Sequence, residues 1–437
     1  MKPQPQLICE NLSISAEGRL LFAGQDTVLL AETYGTPLYL LDEDQLRANC
    51  RMYRRAMAAN FAACEVLYAA KANMFSGICR IIEEEGVCLD VVSSGELYTA
   101  LNAKFPPARI YMNGNNKTDD DLRYAIGSRI GGIVVDSTEE LLAAERIAAE
   151  LGVEQPILLR LTPGIDPHTY AAVATGQVDS KFGVPMETGQ AAELVRLALA
   201  QPHLPLIGYH CHVGSMVFDE DVFERSAAVM LDFMLAMREE LGFVPRILDL
   251  GGGYGVRYVA SDAAIDIEAR IGELAAFIKA HCGQIGLDVP EIHLEPGRSL
   301  VANAGLTLYT VGAVKTVPGF RTYVSVDGGM TDNPRYALYG SSYTCLLANK
   351  AAEEASLTCD LVGRCCESGD VVQPSVALPQ SVCRGDIAAV CITGAYNYSM
   401  ASNYNRLPRP PIVMLRDGES YVAVERESFA DLCRLDK

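Results

Sequence analysis

A lysine closes an apolar run. Val66, Leu67, Tyr68, Ala69 and Ala70 read as a buried strand, and Lys71 follows at its C-terminal end, ahead of Ala72 and Asn73. An ammonium partly desolvated at such a place gives up its proton readily and can add to a carbonyl carbon. Lys71 is therefore a candidate for a Schiff base with an aldehyde cofactor. Taken alone, it reads more simply as a lysine marking the strand's exit into solvent.

Other segments carry groups that could serve such a lysine. Gly251-Gly252-Gly253-Tyr254-Gly255 follows a strand and could bring backbone N–H groups close to an anion such as phosphate. No Lys-Ser/Thr pair follows, so it is not a P-loop; alone it is a tight turn. His210 and His212 flank Cys211, with Gly214 and Ser215 behind them. Histidines at i and i+2 on a strand share one face and could hold a metal, but no third ligand stands nearby in the sequence, so a metal is discounted. Next to a pyridine ring His212 could stack, and Ser215 could donate to phosphate. Glu295-Pro296-Gly297-Arg298 offers a carboxylate that would keep a pyridine nitrogen protonated, and a guanidinium suited to a carboxylate or phosphate. By itself it is an ordinary Glu–Arg pair.

Further on, Cys365-Cys366-Glu367-Ser368-Gly369-Asp370 sets a thiol among carboxylates, and a thiol can deliver one proton to a carbanion. Asp327-Gly328-Gly329-Met330 leads to Asn333, Arg335 and Tyr339, a cationic and phenolic cluster, and Gly394-Ala395-Tyr396 adds a phenol. Buried cysteines before a turn, or plain loop sequence, account for each of these singly.

The elements that would position these groups form a strand–helix alternation between about residues 45 and 300. Candidate strands are Glu65–Ala70, Cys88–Val92, Arg109–Met112, Gly132–Val135, Ile157–Leu161, Leu206–Cys211, Arg246–Leu250 and Glu291–Leu294. Helices predicted between them include Glu139–Leu151, with Ser137 and Glu140 at capping-box spacing and Gly152 at its end, and Asp221–Leu241. Eight such units predict an α/β (β/α)8 TIM-type barrel over residues 45–300, with its chemistry at the C-terminal ends of the strands. Lys71, the Ser93–Glu96 segment, Asn113, Asp136, His212, the glycines and Glu295 all fall there. Beyond 300 the runs Leu306–Val314, Arg321–Val326, Ser356–Val362 and Asp386–Ile392 are short and β-branched, separated by Gly and Pro. They predict an antiparallel, all-β domain of residues 1–44 and 301–437, to which Thr27–Leu30 and Leu38–Leu41 add strands.

Composition narrows the partners. The chain has 437 residues, 49% of them hydrophobic, enough for a large core and two domains. A formal net charge of −19 disfavours nucleic acid and anionic membranes but not a small anionic ligand met by local arginines. No apolar run reaches the roughly 18 residues of a membrane span, and Met1–Gln6 begins no secretory signal. The fourteen cysteines lack zinc-type pairs and read as reduced thiols of a cytoplasmic protein.

Together the segments resemble the decarboxylase branch of the alanine-racemase-like, fold-type III pyridoxal-phosphate family, and in it the members acting on diaminopimelate. The matching stretches are Y-A-A-K-A-N at 68–73, D-V-V-S-S-G-E-L at 90–97, T-G-x-x-x-S-K-F-G at 175–183 and H-C-H-V-G-S at 210–215. G-G-G at 251–253, E-P-G-R at 295–298, D-G-G-M at 327–330, C-E-S-G-D at 366–370, G-A-Y at 394–396 and M-A-S-N-Y-N at 400–405 follow in family order. The resemblance implies that Lys71 holds pyridoxal 5′-phosphate, that His212 stacks on its ring and that Glu295 meets its pyridine nitrogen. It places Ser215, Gly251, Gly252, Gly253, Gly297, Arg298 and Tyr396 about the cofactor. It assigns Arg298, Arg335, Tyr339 and Tyr396 to the substrate, with the distal carboxylate gripped by the first three, Glu367 to the distal ammonium, and Cys366 to proton donation. It further implies a homodimer in which Cys366 and Glu367 reach the other subunit's site.

The implied reaction is decarboxylation of meso-2,6-diaminopimelate to L-lysine. Two arginines suit a tail with a carboxylate better than the bare ammonium of an ornithine-type substrate. Carboxynorspermidine, D-lysine, D-ornithine or a carrier-bound amino acid are the alternative substrates, and a non-catalytic cofactor-binding homologue is the alternative class. Two departures stand out: Arg364 occupies a place where the family pattern has proline, and Tyr254 replaces an aliphatic residue after the glycines.

Overall fold

The structure, a computed structural model, describes residues 7–165, 179–219 and 221–437. Of the 175–183 motif, residues 175–178 lie outside the described residues. The chain groups into two compact units, one of residues 49–255 and 265–297, the other of residues 7–48, 256–264 and 298–437. Residues 256–264 thus fall within the 45–300 span expected of the barrel, yet group with both ends of the chain.

The first unit is a closed ring of eight parallel strands in chain order: Cys64–Ala69, Cys88–Val91, Ile110–Met112, Gly132–Val135, Ile157–Thr162, Leu206–His210, Ile247–Asp249 and Glu291–Leu294. Glu291–Leu294 pairs with Cys64–Ala69, and Gly132–Val135 pairs with Ile157–Thr162, which closes the circle. Each strand lies within one residue of its expected bounds, because runs of Val, Ile and Leu bounded by polar turns leave few other readings. Leu67, Cys88, Tyr111, Val134, Leu158 and Ile247 form a buried cluster with Ile207 packed on it. Each fully buried aliphatic side chain contributes about 1.5–3 kcal/mol.

The helix Thr138–Leu151 shows how local sequence and packing share the work. Ser137 accepts from the Glu140 N–H, and Gly152 ends the helix in the left-handed region at φ 64°. The expected reciprocal half of the capping box is absent. The Glu140 carboxylate is taken instead by buried Lys117, whose Nζ lies 2.7 Å from Oε1 and also donates to the Gly114 and Val134 carbonyls at 2.8 and 2.6 Å. This ion pair ties the loop after the third strand to the fourth strand and its helix. The other expected long helix forms as Val222–Leu241, ended by Gly242 at φ 66°.

In the second unit the long strand Gly305–Val317 is the hub. It pairs antiparallel with Leu38–Asp42, Arg321–Val326 and Ile387–Cys391. The domain is mostly antiparallel as expected, with two parallel pairings: Arg321–Val326 with Ala355–Val362, and Ile412–Arg416 with Leu38–Asp42. Thr27–Leu30 is likewise not a strand but the start of the helix Thr27–Tyr34. Asp26 caps it, accepting from Val28 N–H at 2.8 Å and Leu29 N–H at 3.2 Å, and that cap outweighs the weak strand preference of its residues. Among the described residues no helix is long and apolar enough to cross a membrane, and all fourteen cysteines are free.

The Lys117–Glu140 pair generates a stability prediction. Lys117→Met leaves a buried carboxylate without its cation and should cost about 3–5 kcal/mol. A large drop in the urea midpoint, recovered in Lys117→Met/Glu140→Leu, is the expected result; a midpoint unchanged in the single variant would refute it.

Candidate active site

The first barrel strand runs into a short 3-10 turn, Ala70–Ala72, that carries Lys71. Ala70 and Ala72 are buried while Lys71 is exposed, where the sequence suggested a partly desolvated ammonium. The turn is braced from two sides. Buried Tyr68 donates its hydroxyl to the Asn73 carbonyl at 2.8 Å, and the Ala69 N–H donates to the Pro296 carbonyl at 3.2 Å. Gly297 lies against it so closely that a Cβ there would sit 3.0 Å from the Ala69 Cβ and 3.2 Å from that of Ala72. The 295–297 segment therefore positions Lys71 as well as Glu295.

Glu295 is buried at the end of the last strand. Its Oε1 accepts from Asn113 Nδ2 at 2.8 Å, and Oε2 lies 3.1 Å from His210 Nε2. Asn113 also donates to Asp90 at 2.7 Å, and Asp249 accepts the Gly251 N–H at 2.8 Å. Burial by itself would raise all three carboxyls. For Asp90 and Asp249 it does, reinforced by the Glu295 charge, and both are pushed well above the carboxylate range. For Glu295 burial is overcome by His210, Lys71 and His212, and its carboxyl falls well below that range. Burial pushes His210 down, and the Glu295 carboxylate 3.1 Å away opposes that shift. One charge, on Glu295, thus occupies a site with three carboxyls.

His212 stands at the end of the sixth strand. Burial, then the Lys71 charge, pushes its imidazole well below its ordinary value, and its Nδ1 accepts the Gly252 N–H at 3.3 Å. The ring is therefore neutral, with its proton on Nε2. Gly252 must be glycine: a Cβ there would sit 2.1 Å from the Glu295 carbonyl oxygen. Gly253 approaches Gly214 as closely, at 2.2 Å from its carbonyl oxygen, and Val217 N–H donates to the Gly253 carbonyl at 2.9 Å. The glycine loop is thus locked onto the Gly214-Ser215 turn, although the Gly251 and Gly252 amides expected to face an anion are engaged inside the protein. Tyr254, the departure from the family pattern, is buried with its ring 4.2 Å from that of Phe223, so it fills core beside the helix Val222–Leu241.

The spacing of the sequence hid several partners. His210, Asp249 and Glu295 bring one ligand atom each within 4.8 Å of one another, a group that does not include His212. Asp90, Arg160 and Asp249 escaped notice as site residues although each is a charge inside an apolar strand, which is the signal that could have found them. Arg160 is buried, with its guanidinium 4.5 Å from the Phe182 ring and burial lowering its pKa.

The second unit holds a separate cluster. Arg298 and Arg335 are both buried. The Arg298 guanidinium lies 4.6 Å from the Tyr396 ring and donates to the Tyr258 hydroxyl at 3.0 Å; that of Arg335 lies 5.2 Å from the Tyr396 ring and 4.6 Å from that of Tyr339. Tyr396 is thus shared by two cations, and it sits at φ 64°, an uncommon conformation for a non-glycine residue. Gly394 permits this arrangement, since a Cβ there would lie 1.9 Å from the Val301 carbonyl oxygen. Burial alone lowers the Arg298 pKa, but the surrounding phenols Tyr258, Tyr396 and Tyr343 bring it above its ordinary value.

Cys366 and Glu367 are exposed on this unit, whereas Cys365 is buried and its thiol is pushed up to about 11 by burial and Asp370. The turn is stapled by Asp370, which accepts the Met330 and Cys365 N–H groups at 2.6 Å each. Arg364 donates its N–H to the Gly328 carbonyl at 2.9 Å, a bond that the proline of the family pattern could not make.

Taken separately, the barrel cluster can hold a protonated ring nitrogen against an ionised carboxylate beside a lysine. The second cluster can bind a carboxylate, and its exposed thiol can donate a proton. Comparison with known proteins follows the same lines. Residues 43–302 match the family model for the pyridoxal-dependent decarboxylase, pyridoxal binding domain. The chain is 44% identical over 419 residues to the diaminopimelate decarboxylase of Bacillus subtilis (strain 168), covering 96% of this chain and 95% of that one. It is 39% identical over 440 residues to that of Mycobacterium tuberculosis (strain ATCC 25618 / H37Rv), covering 99% and 98%. The crystal structure of diaminopimelate decarboxylase from M. jannaschii in co-complex with L-lysine superimposes with a TM-score of 0.91 at 33% identity, covering 99% of each chain.

Asp332 generates a pH prediction. Burial raises its carboxyl from the usual range to about 7, against the hydroxyl donated by Tyr309. The folded state then holds a proton that the unfolded chain releases near pH 4, so stability falls from about pH 4 to pH 7 and levels above. Asp332→Asn should flatten that fall relative to the wild type in parallel thermal-unfolding series; equal slopes in both proteins would contradict it.

Proposed function

The chain belongs to the diaminopimelate decarboxylases of the pyridoxal-dependent decarboxylase family, and from that membership we propose that it converts meso-2,6-diaminopimelate to L-lysine and CO2, the last step of lysine biosynthesis. We read it as a cytoplasmic homodimer that uses pyridoxal 5′-phosphate. The observation that carries this reading is buried Glu295, held by Asn113 at 2.8 Å and His210 at 3.1 Å among the barrel strand ends that also carry Lys71.

The residues fit the cofactor. Glu295 offers a fixed negative charge to a pyridine nitrogen, His212 a neutral ring to its face, and Lys71 an amine for its aldehyde. Within the barrel unit, Ser215, Gly251, Gly252, Gly253 and Gly297 would lie about its phosphate, the glycines where a side chain would collide with neighbouring backbone or packed side chains. When bound, pyridoxal 5′-phosphate supplies a protonated ring that draws off the electron pair left by departing CO2.

The chain's own groups do the rest. Glu295 would keep the ring nitrogen protonated by facing it with a fixed negative charge. Arg298, Arg335 and Tyr339 would take the distal carboxylate, with Tyr396 also at the substrate, and Glu367 the distal ammonium. Cys366 would return a proton to the carbon that lost CO2, and Lys71 would supply the amine that frees the product. The exposure of Cys366 and Glu367 supports their reaching the other subunit's site. A diamine tail would face the buried guanidiniums with a like charge, which disfavours an ornithine-type substrate.

Three measurements test this. Borohydride reduction of the protein with pyridoxal phosphate should fix the label on Lys71; label on any other lysine would overturn the assignment. Arg335→Ala and Glu367→Ala should each raise KM for meso-diaminopimelate strongly, since truncating one partner of a buried charged bond costs roughly 2–5 kcal/mol. Wild-type KM in both, with equal turnover of D-lysine, would remove the substrate reading. Finally, Cys366→Ala and Lys71→Ala should each be inactive alone, yet mixed subunits should regain activity in about a quarter of sites by random pairing. Heterodimers without recovered activity would place Cys366 in its own subunit's site or outside the chemistry, while Cys365→Ala should stay active.

A further inference from the structure

The M-A-S-N-Y-N stretch at 400–405 has no part in the chemistry assigned above, yet its loop is built with unusual care. Asn405 and Arg406 stand at φ 53° and 57°, two consecutive non-glycine residues in the left-handed region. Asparagine tolerates that conformation better than most residues, and arginine has no such excuse. Strain of this kind persists only where the surroundings enforce it. Asn403 does so, donating through Nδ2 to the Leu407 carbonyl at 3.0 Å and to Glu427 Oε2 at 2.6 Å, while Ser402 N–H donates to the Thr331 carbonyl at 2.8 Å. The product of this enforced geometry is one contact. Asn405 Oδ1 accepts the backbone N–H of Cys366 at 2.7 Å.

We propose that Asn405 is a positioning residue that fixes the Cys366 backbone, and so the reach of its thiol, by capping the Cys366 amide from a strained left-handed loop. The inference rests on Cys366 being the proton donor. Asp370 already anchors the buried half of the turn through Cys365 and Met330, but Cys366 lies on the exposed half, where only the Asn405 cap is seen to restrain its amide among the described hydrogen bonds. An ordinary turn would let this residue shift by an ångström or so, and displacement on that scale can cost about a hundredfold in rate. Asn405 touches no reacting atom; it acts through Cys366.

The test compares three variants of the cofactor-loaded enzyme. Asn405→Ala removes the acceptor and strains the backbone. Asn405→Gly removes the acceptor but relaxes the backbone. Asn405→Asp keeps both an acceptor oxygen and tolerance of the left-handed region. Ala and Gly should lower kcat about tenfold to a hundredfold, with KM within about twofold of wild type and a larger solvent deuterium effect on kcat, as proton delivery becomes limiting. Asp should retain near-wild-type kcat. Wild-type kcat in the Ala and Gly variants, or an Asp variant as slow as Ala, would overturn the proposal. Cys366→Ala separates the two levels: if it keeps wild-type kcat, the donor assignment fails and this proposal with it. If it is inactive while Asn405→Ala turns over normally, only the positioning role fails.

Discussion

Three carboxyl groups buried together cannot all be ionised, and the barrel is organised around which one is. Asp90 and Asp249 come from the second and seventh strands and stay neutral; Glu295, after the eighth, carries the charge. The difference lies in the donors. Asn113 and His210 both point at Glu295, and the Lys71 and His212 sites add to its stabilisation. An isolated buried carboxylate would cost several kcal/mol and take up a proton instead. The donors must therefore be held rigidly, and a closed ring of parallel strands does that with each donor at a strand end. The same rigidity passes to Lys71, because Pro296 and Gly297 that follow the charged residue form the floor under its turn.

The second unit solves a different problem, that of holding an exposed turn. Its C-E-S-G-D segment contains no regular structure to brace it. Asp370 replaces that bracing by accepting two amides from separate segments, and Gly329 and Gly363 are glycines because a Cβ on either would collide with the Asp370 carboxylate, at 2.4 and 2.2 Å. Three motifs far apart in sequence, around residues 328–330, 363–370 and 402–405, are one hydrogen-bonded assembly. Their joint presence has a physical reason that none has alone.

Much of this was legible in the sequence, and the reasons for success and failure differ by element. The barrel strands were readable because apolar runs ended in polar or glycine-rich turns eight times over. Thr27–Leu30 misled because β-branched and apolar residues favour a strand, while the decisive signal was a single capping aspartate before them. The exposure of Lys71 was hidden because a 3-10 turn leaves no periodicity to read. The neutral partners of Glu295 were hidden because they meet across the barrel, 46 to 205 residues away in sequence by simple subtraction for Asp249 and Asp90, and spacing carries no such relation. The two departures, by contrast, gained their meaning only from contacts: Tyr254 is core packing, and Arg364 contributes an amide rather than a side chain.

The manner in which Arg298 and Arg335 are buried bears on selectivity. A guanidinium can be carried inside a protein by a carboxylate, which cancels its charge, or by aromatic faces, which solvate it without cancelling it. Aromatic groups surround these two: the Tyr396 ring lies against both, Tyr339 backs Arg335, and the Tyr258 hydroxyl accepts from Arg298. Phenol oxygens and π faces solvate a guanidinium without removing its charge. Planar guanidinium and planar carboxylate can then bond in a bidentate way, which a lysine could not match. A ligand that ends only in an ammonium would enter the same field against repulsion. The aromatic setting of the arginines therefore supports the proposed preference for a ligand that ends in a carboxylate.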